Sequence, residues 1–167
     1  MRNPYLIQKK KQKNSEMENI FHSEYFSAYI THIPSVSVSG TDVLISKRPV
    51  SNLGVTFDSC LSMANHVSDV VKSASFHIRN IGRVRQKLTT SSTRTLVQSL
   101  VISRIDYCNS LLSGVSSELL GKLQLVQNNA VRLISGVRRR EHISPILKEL
   151  HWLPVAQRVD FKVLLLV

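Results

Sequence analysis

The spacing of the apolar residues changes near residue 60, and this change limits what the chain can fold into. From Ser35 to Phe57 apolar residues alternate with polar ones, as in strands with one buried face. Beyond residue 65 they recur every three or four positions, which is the spacing of one helix face. The pattern predicts an α+β, mainly α fold: a small antiparallel β-hairpin or three-stranded piece, followed by a bundle of about five helices.

Two extended segments make up the predicted strand region. In the first, valines alternate with serines up to a turn at Gly40. The second runs from residue 50 to 57 and places on one face Leu53, Val55 and Phe57. A piece this small is not stable by itself, so we expect it to pack on the helices that follow.

Capping residues and glycines place the helix boundaries. Ser144 and Pro145 have the order of an N-cap followed by the first helical residue. The predicted helices are, in order, residues 66 to 88; a helix capped within Thr89 to Ser92 and running to about Leu112, before Gly114; one from Ser116 or Ser117 to Gly136; a short one from Ser144; and one opened by Pro154.

The apolar faces of these helices form the predicted core, and the second helix has the widest apolar face. Arg85 projects toward the apolar side of the first helix, so it needs a polar partner or a route to solvent. The core residues are Val67, Val70, Val71, Ala74, Ile78, Ile81 and Leu88 in the first helix; Leu96, Val97, Leu100, Val101, Ile105, Cys108, Leu111 and Leu112 in the second; and Leu119, Leu123, Val126, Ala130 and Leu133 in the third.

Three segments follow from these patterns. Residues 1–34 lack a sustained period and are expected to be a poorly ordered tail with one short helix around 17–29. Its basic cluster, Lys9 to Lys13, is either a solvated run or a nuclear-localisation or phosphate-binding patch. Residues 35–58 form the hairpin segment, and residues 59–167 form a helical domain that is still apolar at Val167, which indicates truncation there.

Composition limits the classes of partner and the cellular compartment that we expect for this chain. The formal net charge is +11 in 167 residues, which favours a polyanion such as nucleic acid or an anionic membrane surface, although it also serves solubility alone. The longest apolar run, Val163 to Val167, is too short to cross a membrane, so we expect no membrane partner. Cys60 and Cys108 lack disulfide or zinc spacing. An intracellular location, nucleus or cytoplasm, is predicted.

Basic residues are concentrated in one acid-free span. No Asp or Glu occurs from Lys72 to Ile105, whereas a solvated helix surface usually mixes both signs of charge. Such a surface suits neutralisation of phosphates, and a second basic patch lies at residues 138 to 140. Helical geometry places several of these cations opposite the apolar face of the first helix. The predicted nucleic-acid-binding residues are Lys72, Arg79, Arg83, Lys87, Arg94, Arg138, Arg139 and Arg140.

Four segments resemble one region of a known enzyme family. They are Asn52-Leu-Gly-Val-Thr-Phe-Asp58, Ser103-Arg-Ile-Asp-Tyr-Cys-Asn-Ser-Leu-Leu112, Lys122-Leu-Gln-Leu-Val-Gln-Asn-Asn-Ala-Val-Arg-Leu-Ile134 and His142-Ile-Ser-Pro-Ile-Leu-Lys-Glu-Leu-His-Trp-Leu-Pro154. In order and spacing they resemble the region after the catalytic palm of reverse transcriptases from LINE-type, jockey-like non-LTR retrotransposons. The resemblance covers roughly residues 35 to 167 and implies a post-palm hairpin followed by a helical thumb and connection.

The chemistry of that family needs residues that this sequence does not contain. Its polymerases hold two metal ions on clustered carboxylates, commonly displayed as Tyr-Ala-Asp-Asp, and such ions stabilise the attacking and leaving oxygens. This chain has no adjacent pair of aspartates, and its five aspartates are scattered over different predicted elements. We therefore expect no catalytic residue, no metal site and no cofactor here, with Mg²⁺ serving only the intact parent enzyme.

Two carboxylates and one aromatic corner have simpler predicted structural roles. Asp58 ends a strand or caps the turn before the first helix. Asp106 is two positions from Arg104, a spacing that does not bring their side chains together, so each needs a separate partner. His151-Trp152 beside Pro154 is typical of a packed corner, with a base-stacking platform as the alternative.

Together these features predict a fragment of a retrotransposon RNA-directed DNA polymerase that lacks the palm and is not an enzyme alone. The expected partner is the backbone of RNA or an RNA/DNA duplex, bound without sequence preference. Two alternatives stay open at this point. One is a degenerate transposon remnant with no activity of its own, and the other is an excerpt of a full-length reverse transcriptase.

Overall fold

A computed structural model describes residues 35–44, 48–138 and 140–166. The chain divides into two units, Met1–Ser62 and Met63–Val167. The fold is α+β and mainly α, as predicted, with two small antiparallel hairpins followed by about five helices. The predicted tail at residues 1–34, with its short helix and its basic cluster, lies outside the described residues, and so does Arg139.

The strands form two separate hairpins. Strand β1 (Ser35–Val38) pairs antiparallel with β2 (Thr41–Leu44), and β3 (Val50–Asn52) pairs antiparallel with β4 (Val55–Phe57). The first hairpin turns at Ser39 and Gly40, which have φ angles of 53° and 79°. Two successive positive φ angles are what a tight two-residue hairpin needs to match the twist of its strands.

The second hairpin corrects the prediction of one extended segment from residue 50 to 57. Leu53 and Gly54 have φ angles of 48° and 78°, so the chain reverses between them instead of continuing. Leu53 is therefore at the tip and 83% exposed, whereas Val55 is 2% exposed. The prediction that Leu53 and Val55 share one face is wrong, because a turn lies between them and interrupts the alternation of the strand. A leucine with positive φ is uncommon, so a turn at Leu53 is not expected from its residue type.

Asp58 has the predicted role after the second hairpin. Its Oδ1 accepts hydrogen bonds from the backbone N–H groups of Cys60, at 3.1 Å, and Ser62, at 2.9 Å. Its Oδ2 accepts a third from the Ser62 hydroxyl, at 2.9 Å. One carboxylate thus satisfies the donors of a loop that follows β4.

The helical unit contains six α-helical segments and three irregular turns within the described residues. The helix that begins at Thr90 continues without a break through a π-helical turn at Gln98–Ile102 into a short helical segment at Ser103–Asp106. In order the elements are α1 (Ala64–Val84), a 3₁₀ turn (Arg85–Lys87), α2 (Thr90–Val97), the π turn (Gln98–Ile102), α3 (Ser103–Asp106), a second 3₁₀ turn (Asn109–Leu112), α4 (Ser117–Ser135), α5 (Ser144–Glu149) and α6 (Val155–Leu164).

The predicted caps of α2 and α4 are confirmed. The Thr89 hydroxyl accepts the Ser92 N–H at 3.1 Å, and the Ser116 hydroxyl accepts the Leu119 N–H at 3.4 Å. Each satisfies a backbone donor that the first turn of a helix leaves unpaired. Gly136, at φ 73°, ends α4 in the left-handed conformation expected of a glycine there.

The second predicted helix ends earlier than the sequence indicated. It was expected to continue to about Leu112, but α3 stops at Asp106 and Cys108 takes a left-handed φ of 52°. The chain then restarts as a 3₁₀ turn, which rotates the following side chains. Leu111, predicted in the core, is 46% exposed, whereas Leu112 is 3% exposed.

The core lies between α1, the α2 segment with its π turn, and α4. Helix α1 packs on α4, α2 packs on both, and α6 packs on α4 and the second 3₁₀ turn. Leu100 is only half-buried, because the wider π turn directs its neighbours inward instead. The side chains with the least exposure are Val67, Ala74, Thr93, Val97, Val101, Ile102, Leu123, Gln127, Ala130, Val131 and Val155.

Candidate nucleic-acid interface

Three basic side chains lie along the outer side of α1. Lys72, Arg79 and Arg83 are exposed, and their spacing of seven and four residues places them on one stripe of the helix. The opposite side is buried through Val67, Ala74 and other apolar residues of the core. We call Lys72, Arg79 and Arg83 the α1 cationic face. The sequence predicted both sides of this helix.

One acidic residue adjoins this face. Lys72 Nζ lies 3.8 Å from Asp69 Oδ1, and their side chains are 77% and 60% exposed. A solvent-exposed pair at this distance contributes little and is screened by salt, so Lys72 keeps most of its availability. Within the described residues, Arg79 and Arg83 take part in no ion pair. Asp69 thus lies just before the acid-free span and next to its first cation.

Two other predicted cations lie on different elements. Lys87 ends the first 3₁₀ turn and is exposed. Arg94 lies on α2 and is exposed, with its Nη2 3.5 Å from the carbonyl oxygen of Leu150, just beyond α5. Neither residue continues the α1 cationic face. Helix α1 ends at Val84, before Lys87, and the extended backbone of Leu88 separates Arg94 from it.

The second basic patch includes an acid. Arg138 and Arg140 are exposed between α4 and α5, and the backbone N–H of Arg138 donates to Glu141 Oε1 at 3.2 Å. The carboxylate of Glu141 thus lies against the loop that carries both arginines. The 138–140 loop, like the α1 cationic face, therefore has one acidic neighbour.

Arg85 shows how the fold removes a cation from the surface. Its Nε donates to the Leu133 carbonyl at 2.9 Å, and its Nη2 donates to the Ile134 carbonyl at 3.1 Å. Its Nη1 donates to the Leu88 carbonyl at 3.0 Å. The guanidinium therefore closes the C-terminal end of α4, where helix carbonyls lack partners and the helix dipole favours positive charge. This is the polar partner that the sequence required.

Arg158 on α6 is a second arginine held by internal partners. Its Nη1 lies 2.6 Å from both carboxylate oxygens of Asp106, and its Nε donates to the Leu153 carbonyl at 3.2 Å. The guanidinium carbon lies 5.9 Å from the centre of the Trp152 ring, within cation–π range. Asp106 thus has a partner other than Arg104, as predicted. Trp152 is 8% exposed, which confirms the packed corner.

A hydrogen-bond network continues from this corner into α4. Gln124 Oε1 accepts the N–H of Val155, at 2.8 Å, which satisfies a donor in the first turn of α6. Gln127, fully buried, donates from Nε2 to the Leu153 carbonyl at 2.9 Å. Three of the four segments singled out in the sequence, at 103–112, 122–134 and 142–154, therefore meet in one set of polar contacts. Sequence reasoning missed this set, because its partners are distant along the chain.

One aromatic residue on α1 was also missed. Phe76 is 53% exposed and lies four residues after Lys72 and three before Arg79. It therefore lies within the α1 cationic face, since helix residues three and four apart are surface neighbours. The ring contacts His77 almost at a right angle, with 5.4 Å between centroids and 77° between planes. The signal in the sequence that could have identified Phe76 is an aromatic residue at a position on the polar side of the helix.

A buried histidine lies near the start of α1. His66 is 5% exposed, and burial lowers its pKa below the ordinary value of 6.5, since a charged imidazolium loses hydration there. Asp69 opposes this effect by attracting the charged form. Protonation of His66 is therefore coupled to the stability of the fold. His66 is one of the buried residues of α1 and is not part of the α1 cationic face.

The residues that the structure describes carry neither a cluster of metal ligands nor a membrane-spanning helix. They contain no group of three or more His, Cys, Asp or Glu side chains that could hold a metal ion. No helix among them has the length and apolar character needed to cross a membrane. Comparison with models of known protein families, with curated proteins and with solved structures gives no match.

Proposed function

We propose that the helical unit binds the sugar–phosphate backbone of RNA or of an RNA/DNA duplex through the α1 cationic face. The observation that carries this proposal is the exposed stripe of Lys72, Arg79 and Arg83 in a span that has no acid from residue 72 to 105. Each phosphate contact releases bound counterions and contributes a favourable, salt-dependent term. Since such contacts touch no base edge, binding is independent of sequence.

The same proposal assigns the chain to a larger system. Its four segments resemble the post-palm region of non-LTR retrotransposon reverse transcriptases, and hairpins followed by helices are compatible with the end of a palm-like region followed by a thumb and connection. In that setting the α1 cationic face holds the template–primer, and Mg²⁺ and catalytic carboxylates belong to the palm of the parent enzyme. Lys87, Arg94 and the 138–140 loop are secondary contacts of the same kind.

The central test replaces the α1 cationic face. In Lys72→Gln/Arg79→Gln/Arg83→Gln, glutamine keeps a polar, helix-compatible side chain, so we expect the fold to survive. If all three residues contact phosphates, the slope of log affinity against log salt shrinks by about two to three units. Fluorescence anisotropy with a labelled duplex and an RNA/DNA hybrid, over a salt series, measures this slope.

A matched variant separates this face from net charge. Lys122→Gln/Lys148→Gln/Lys162→Gln removes the same number of charges from exposed positions on α4, α5 and α6. We expect its slope to change by less than about one unit. Equal losses in both variants would show a general charge effect, and an unchanged slope in the first would move the interface to the 138–140 loop. No binding at low salt would favour a remnant without activity.

Catalysis is not part of the proposal for this chain alone. We expect no nucleotide incorporation on a primed RNA template with Mg²⁺ or Mn²⁺, since the sequence has no clustered pair of metal-binding aspartates. A primer-extension assay with the purified chain measures this. Template-dependent extension that disappears when one aspartate is replaced would contradict it.

A further inference from the structure

Phe76 is an apolar ring placed where a charged helix face meets water. It is 53% exposed, although the core side of α1 offers buried positions one or two residues away. Lys72 and Arg79 lie within one turn on either side, about 5–6 Å away between Cβ atoms. Exposed single apolar residues are common, so what distinguishes Phe76 is the set of cationic side chains around it.

The cationic side chains and the Phe76 ring suit different parts of one ligand. Lys72 and Arg83 are about 16 Å apart along the helix axis, which spans several phosphates of a nucleic-acid strand. The ring between them offers a π-face, and proteins that bind single strands combine a cationic track with aromatic platforms on which bases stack. A protein partner with an apolar patch would have to cover three cations, which lose hydration without gaining a counter-charge.

We propose that Phe76 stacks on an unpaired base, so that the α1 cationic face prefers a single-stranded segment of RNA or DNA to a fully paired one. This inference rests on the proposed function and names the form of nucleic acid that the face selects. In a duplex each base face is covered by its neighbours, and exposing one costs unstacking energy. The ring therefore adds affinity only where a base is already unpaired.

The edge-on contact with His77 supports a platform role. A T-shaped aromatic pair is a favourable arrangement, and it restricts the ring while more than half of the residue stays exposed. A restricted ring loses less conformational freedom on stacking than a freely rotating one. His77 itself is half-buried, so the pair links the platform to the packed side of α1.

The test compares Phe76→Leu with the unaltered chain. Leucine keeps an apolar side chain and a high helix propensity but has no π-face. We expect affinity for a single-stranded oligonucleotide of mixed sequence to fall about five- to hundredfold. Affinity for the same oligonucleotide annealed to its complement is expected to change less than about twofold, and the salt slope stays unchanged because no charge is removed.

Two controls isolate stacking from general apolar exposure. Phe161→Leu alters a phenylalanine of nearly equal exposure, 52%, on α6, and is expected to leave both affinities unchanged. An abasic oligonucleotide keeps the phosphates without the bases, so the unaltered chain and Phe76→Leu are expected to bind it equally. Phe76→Trp restores a ring, and its fluorescence, above the background of Trp152, is expected to fall on binding single strands but not on binding the abasic one.

The outcomes separate this inference from the proposed function. If the triple glutamine variant loses salt slope while Phe76→Leu binds single strands normally, the face binds phosphates and the stacking inference is overturned. Equal losses of Phe76→Leu on single-stranded, duplex and abasic probes would also overturn it. If the unaltered chain binds none of these probes, both proposals fail, and capture of apolar peptides instead would identify a protein-binding face.

Discussion

Two arginines at the end of α1 show how position decides what a cation does. Arg83, in the last turn of α1, is exposed and has no ion pair within the described residues. Arg85, two residues later, donates to carbonyls at the end of α4 and to Leu88. A difference of two positions rotates the side chain by about 200° around a helix. An arginine is therefore available to a ligand at position 83, whereas two positions later it is held by hydrogen bonds within the fold.

The contrast extends to α6, where Arg158 joins Asp106, Leu153 and Trp152. A count of basic residues overstates the charge that a ligand can use, since each internally bound guanidinium is already engaged. It also understates the fold's dependence on arginine, because removing such a group leaves its partners unpaired. The comparison between internally bound and open cations can be tested at each position.

The largest effect is expected at Arg158. In Arg158→Met the side chain keeps an unbranched apolar stem but loses the guanidinium, so Asp106 loses its counter-charge while its own side chain is only 34% exposed. We expect the free energy of unfolding to fall by about 2–4 kcal/mol, at the lower side of values for fully buried pairs. Urea denaturation followed by circular dichroism measures it, with Lys162→Met on the same helix as the exposed control.

That control is expected to change stability by less than about 0.5 kcal/mol, because exposed substitutions away from special features are nearly neutral. If Arg158→Met were equally mild, the Asp106 contact would not hold α6 in place. The distinction between internally bound and open cations would then fail at its strongest example.

A smaller effect concerns His66, which lies on the buried side of the helix that carries the open cations. Since burial lowers its pKa in the folded state, the unfolded chain binds a proton more readily. Stability from this group is complete above the ordinary pKa of 6.5 and is lost as pH falls through the lowered folded value. We expect His66→Gln to be less sensitive to acidification than the unaltered chain, as measured by urea titrations between about pH 7 and 5.

The outcome would be informative in either direction. An identical pH dependence in both chains would show that His66 is protonated equally in the folded and unfolded states. Binding of nucleic acid by the α1 cationic face, corrected for the folded fraction, is expected to be the same in both, because His66 is buried and lies more than one helical turn before Lys72.

Local patterns predicted several helix ends where a single residue sets the structure, although Ser144, predicted as an N-cap, is the first residue of α5 and Ile143 takes the cap position. Thr89, Ser116 and Gly136 were predicted as helix boundaries because a hydroxyl or a missing Cβ is sufficient at those positions. The division of α1 into buried and basic sides followed from its period. The turn at Leu53 and the left-handed Cys108 were missed, since neither residue type favours positive φ.

The candidate site was predictable only in part, because availability depends on distant residues. Arg85 is removed from the surface by carbonyls almost fifty positions away, and Arg94 is linked to Leu150. Asp69 precedes the acid-free span, so the span by itself does not show the carboxylate beside Lys72. Phe76 needed no tertiary information, since its spacing from Lys72 and Arg79 places it among the cations.

The difference between internally bound and open cations is tested by the salt dependence of nucleic-acid binding in Arg83→Gln and Arg85→Gln. Both variants lose one charge, and the two positions are nearly adjacent. Arg83→Gln is expected to lower the slope of log affinity against log salt by about one unit with unchanged stability. Arg85→Gln is predicted to keep the slope while the free energy of unfolding falls by about 1–3 kcal/mol. Equal slopes for the two variants, or a loss of slope in Arg85→Gln alone, would contradict that difference.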